Sequence, residues 1–131
     1  MSKISNTQEK VVISCYKKLL KCIQPDNLDN TELICSNVSK IKSMKPFLPQ
    51  NIYASFMQAI DRYIDPIVND NDKFLSSLHT PDIGFINDDG HFEIKGEREL
   101  NLFFARLCKL SIDIKKDIEA WACSELSPYF G

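Results

Sequence analysis

A chain of 131 residues with 44% hydrophobic and 26% charged content is long enough to bury a core without disulfides or metal, and too apolar for global disorder. Its net charge of −2 argues against the basic surface that a dedicated nucleic-acid binder carries. The charge is also uneven: residues 1–50 hold eight Lys against four acids, residues 51–100 hold ten acids against four bases, and the remainder is neutral.

The first predicted helix covers residues 6–24. Ser5 with Gln8, or Asn6 with Glu9, has the spacing of a capping box. Val12, Cys15, Tyr16, Leu19, Cys22 and Ile23 repeat at helical spacing, with Lys10, Lys17, Lys18 and Lys21 opposite. Pro25-Asp26-Asn27 stops it. A second helix is predicted from a cap at Asp29 or Asn30, turning Leu33, Ile34, Val38 and Ile41 inward until Pro46 and Pro49. A third, about 50–65, has the widest apolar face: Ile52, Tyr53, Phe56, Met57, Ile60, Tyr63 and Ile64. That width predicts a central helix, which Pro66 should end or kink. Asn69-Asp70-Asn71-Asp72 then caps a short helix bearing Phe74, Leu75 and Leu78.

Residues 83–95 carry the one convincing β signal. Phe85-Ile86 and Phe92-x-Ile94 flank Asn87-Asp88-Asp89-Gly90, a turn-forming run, so a hairpin is predicted that must lie against the helices. The longest helical pattern follows, Glu97 to Leu126. Leu100, Phe103, Leu107, Leu110, Ile114, Ile118 and Trp121 lie on one stripe that only Glu125 breaks, and Trp121 is expected in the core. The fold class predicted for residues 1–131 is thus mainly α: a single compact helical domain of about five helices with one β-hairpin (about 83–95) before a long C-terminal helix.

Five cysteines are an odd number and sit mostly in apolar helical patterns, so they are expected to be reduced and mainly buried, which suits the cytoplasm. The N-terminal residues lack the apolar core of a signal peptide, and no apolar run approaches a membrane span. Paired zinc-ligand spacings are absent. Asn87-x-Asp89-Gly90 resembles the middle of a calcium loop, but with Gly90 at the sixth position the first is Phe85 and the twelfth Gly96, neither of them a ligand. His79 and His91 are the only histidines and neither has a nucleophile in a recognised local arrangement. No catalytic residue, cofactor or metal site is predicted.

What remains is the acidic series of the middle segment. Asp70, Asp72, Asp82, Asp88, Asp89, His91 and Glu93 are the predicted partner-binding residues, a negative surface for a basic protein partner that raises encounter rates and fixes orientation. Small size, acidic charge and the lack of catalytic machinery fit a stoichiometric inhibitor that occludes a basic cleft. Immunity proteins and antitoxins mask nuclease toxins in this way. Two rivals stand beside this expectation: a small enzyme using His79 or His91 with nearby acids, and a nucleic-acid-associated regulator using the lysine face of the first helix.

Overall fold

The computed structural model of the chain describes residues 6–129, apart from the side chains of Asn6 and Asp72. The elements run α1 (Asn6–Cys22), α2 (Thr31–Ser43), α3 (Gln50–Ala59), a π-helical segment (Ile60–Ile64), α4 (Asp65–Asn69), α5 (Asn71–Ser76), β1 (Gly84–Ile86), β2 (Phe92–Ile94) and α6 (Glu97–Glu125), with short 3-10 turns at Pro25–Asn27, Lys45–Phe47 and Ser127–Tyr129. Because α3, the π segment and α4 are continuous, the helices form five bodies, and the fold is mainly α with one antiparallel hairpin before a long final helix. No helix among the described residues is long and apolar enough to cross a membrane.

The caps follow local chemistry. The Leu33 amide donates to Asn30 Oδ1 at 3.1 Å, opening α2, and the Lys73 amide donates to Asp70 Oδ1 at 3.2 Å, opening α5. Both predicted capping boxes of α1 involve groups outside the described residues. Pro66 does not end the third helix: α4 carries on through it from the π segment. The π segment just ahead of it widens the turn where the proline lacks a donor and its ring would press on the carbonyl four residues back. Phe56, Ile60 and Ile64 of this rod are buried, as a central helix requires.

The core joins Val12, Cys15, Leu19 and Cys22 of α1, Ile34 and Ile41 of α2, the α3–α4 rod, and Leu107, Ile118 and Ala122 of α6. Polar links cross it at few points. Asn71 Nδ2 donates to Leu28 O at 2.9 Å and Ile67 O at 3.0 Å, and the Ser111 hydroxyl donates to the Ile23 carbonyl. Glu125, the residue that breaks the α6 stripe, is exposed and accepts a hydrogen bond from Ser55 Oγ at 3.2 Å, which ties α6 to α3.

Three expectations need correction. Only Cys15 and Cys22 are buried; Cys108 is half-buried, and Cys35 and Cys123 are exposed. Trp121 is half-buried, its ring edge-on to Phe56 at 5.4 Å, so it closes the core from the rim. Leu100 lies on the apolar stripe yet is 51% exposed. The stripe continues past the point where the bundle has anything to set against it.

Candidate partner-binding surface

The hairpin owes its shape to two glycines and one asparagine. β1 and β2 pair antiparallel, Gly84 opposite Ile94, Phe85 opposite Glu93 and Ile86 opposite Phe92. At the tip, the Gly90 amide donates to Asn87 O at 3.0 Å and the Asn87 amide to His91 O at 2.8 Å. Asn87 Oδ1 accepts from the amides of Asp89 and His91, both at 3.0 Å. Gly90 alone among the described residues has positive φ, +81°, so a tight turn followed by a bulge glycine reverses the chain. Asn87, Asp88 and Asp89 all keep φ out of the left-handed region. The asparagine oxygen that a calcium loop would aim at the ion is instead spent on backbone amides. No group of three or more His, Cys, Asp or Glu among the described residues is placed to hold a metal.

Gly84 has a different task. A Cβ there would meet the Glu93 carbonyl oxygen and lie 2.6 Å from the Phe92 ring. The bare backbone lets Phe92 fold across the strand pair, where its ring stacks on His79 with centroids 4.2 Å apart and planes 5° from parallel. His79 in turn lies 5.7 Å from Phe103 of α6. Its imidazole therefore serves as a flat packing surface that joins hairpin to helix.

The base of the hairpin is clamped by polar contacts. Arg106 donates to Thr80 Oγ1 at 2.7 Å and to Asp82 Oδ2 at 2.9 Å, the Thr80 hydroxyl also donates to Asp82, and Lys95 Nζ donates to Pro81 O at 2.7 Å. The Thr80 hydroxyl first, and then the Arg106 guanidinium, hold the Asp82 carboxyl below the usual carboxylate range. Ile83, fully buried, pins the segment between them.

The predicted site residues thus divide. Asp88, Asp89, His91 and Glu93 share one hairpin and are all exposed, and none of the three carboxylates enters an ion pair among the described residues. Asp82 is committed to Arg106, which neutralises much of its outward field. Asp70 caps α5, and Asp72 has its side chain outside the described residues. What charge counting missed is apolar. Phe85 is 49% and Ile86 65% exposed on β1, and on the first turns of α6 Leu100 is 51% and Phe104 45% exposed. For Leu100 the sequence signal was present, because it lies on the stripe that becomes the core face further along the helix; Phe104 falls off that stripe. Comparison with protein-family models, with curated proteins and with solved structures finds no match.

Proposed function

We propose that the protein is a protein-binding module that docks its hairpin on a basic partner, most concretely as a stoichiometric inhibitor or immunity-type protein without catalysis of its own. One observation carries the reading. A hairpin clamped at its base presents Phe85 and Ile86 to solvent on the same element as three carboxylates that enter no ion pair among the described residues. Interfaces draw their affinity from a few apolar or aromatic anchors and their steering from a charged rim, and both kinds of group occur here on one rigid element. Rigidity matters because a segment already held in its binding shape loses little entropy on association. Occlusion of a cationic cleft by the hairpin tip is the mechanism this geometry suits.

The test is capture from the native host with the wild-type chain and with Phe85→Ser/Ile86→Ser, after circular dichroism has shown both to be folded. A basic partner retained by the wild type at one-to-one stoichiometry and lost by the double variant is the expected result. Equal retention by both would remove the hairpin from the interface.

A further inference from the structure

Five lysines line one cleft between α1 and α2: Lys10, Lys17, Lys18 and Lys21 from the first helix and Lys40 from the second. The cleft has a volume of about 540 Å³, within the range of small-molecule sites. Among the described residues no carboxylate lines it. Neither of the two ion pairs among the described residues, Arg106–Asp82 and Lys115–Glu119, involves these lysines. Lys18 Nζ donates to Ser14 Oγ at 2.7 Å, a neutral partner that leaves its charge uncompensated. Lys17 and Lys21 are four apart and Lys18 and Lys21 three apart, spacings at which like charges destabilise a helix. Glu9 is the only acid in α1 to offset them.

The concentration is a local property, since the chain as a whole is acidic. It also differs from a plain solvated helix face in that a second helix contributes to it. α2 brings Lys40 to the rim and Asn37 to the wall, with Asn37 itself buried and anchored through Nδ2 to Leu33 O at 3.1 Å.

We infer that this cleft binds a small, multiply phosphorylated anion. Each ammonium is a point charge with three donors, and phosphate offers three acceptor oxygens and more than one negative charge, so five lysines in a concave site match several phosphates on one compact scaffold. Among the described residues no aromatic ring and no arginine line the cleft, so none of them stacks a base as single-stranded nucleic acid requires. A compact ligand seated in the cleft, within the screening distance of about 8 Å, is dominated by the five lysines, with Glu32 in the adjoining hollow that shares Lys21, Asn37 and Lys40 as the one carboxylate at its margin. The site uses none of the hairpin residues, so it stands or falls separately from the docking proposal.

The experiment is isothermal titration of the full chain, at near-physiological salt, with inositol hexakisphosphate and with tripolyphosphate as probes. Saturable one-to-one binding of either is expected, weakened about tenfold or more in Lys17→Gln/Lys21→Gln and largely kept in Lys17→Arg/Lys21→Arg, which preserves the charge. Charge reversal of Asp88, Asp89 and Glu93 should leave that binding in place. Absence of saturable binding, or binding undiminished in the Gln variant, would overturn the inference. Tighter binding of a hexaglutamate peptide than of either phosphate would overturn it in favour of an acidic protein segment.

Discussion

Replacing Gly84 by alanine tests the geometry on which the docking hairpin rests. A methyl group at this position would fall against the Glu93 carbonyl oxygen and within 2.6–2.7 Å of two carbons of the Phe92 ring. Ordinary carbon contacts begin near 3.5 Å, so either the strands separate by most of an ångström or the ring swings away. If the ring moves, its 4.2 Å stack on His79 is lost. If the strands move, the Lys95 amide, which donates to Ile83 O at 2.9 Å, loses its partner at the hairpin base. Inserting a methyl into a filled site costs about 1–3 kcal/mol. Because the hairpin sits at the edge of a helical bundle, this cost should appear as local opening more than as global unfolding. The assay is native-state hydrogen exchange of the Lys95 and Asn87 amides. Protection should fall between about fivefold and about 150-fold, the equivalent of that energy, while the α3 amides change little. Protection within twofold of wild type at both amides would show that Phe92 does not cross the strand pair at Gly84, and the rigid-hairpin account would fail.

Further expectations follow from the same structure. Phe56 is fully buried, so Phe56→Ala should destabilise by about 3–5 kcal/mol in urea unfolding, whereas half-buried Trp121→Ala should cost about 2 kcal/mol. A double-mutant cycle between them should give a coupling of about 0.5–1.5 kcal/mol from the edge-on contact, and near-zero coupling would deny it. Cys35 and Cys123 should react with a thiol reagent first and in the native state, while Cys22, whose thiol burial pushes up to about 11, should react only on unfolding. Equal rates for the three would refute this. Asp82 is held below its unfolded value near 3.9, so the clamp's contribution is present above that pH and lost as pH falls below about 4. Protection of the Lys95 amide, relative to its intrinsic exchange at each pH, should fall over that window in the wild type and not in Asp82→Asn.

Much of the fold could be read from the sequence because periodicity and turn chemistry are local. The α6 stripe, the cap at Asp29 or Asn30, the central third helix and the hairpin turn all follow from residues within a few positions of one another. The path past Pro66 could not be read so easily. A proline in a helical pattern signals a break, and whether a π segment absorbs it depends on packing along the whole rod. Exposure was the least legible property. Leu100 and Ile114 occupy the same stripe, yet only Ile114 has a bundle beside it, and the periodicity of one helix does not tell where its neighbours end. Cys35 and Cys123 illustrate the same failure. Of the candidate site, the carboxylates of the tip were visible as composition. Their division into free (Asp88, Asp89, Glu93) and committed (Asp82) was not, because Arg106 lies 24 residues from Asp82 in the chain. The apolar half of the surface was hidden for the opposite reason: Phe85 and Ile86 look like core residues in any strand.

The central claim is that the hairpin tip steers and seats a basic partner. The most direct measurement is the salt dependence of the association rate between that partner, once captured, and two chains: the wild type, and Asp88→Lys/Asp89→Lys/Glu93→Lys. Exposed carboxylates outside any ion pair contribute little to folding, so the variant should unfold within about 0.5 kcal/mol of the wild type. Its association rate should drop by about tenfold or more at low salt, and the gap should close as salt is raised. An association rate unchanged at every salt concentration, with the fold intact, would contradict the claim and leave the acidic tip with no function beyond solubility.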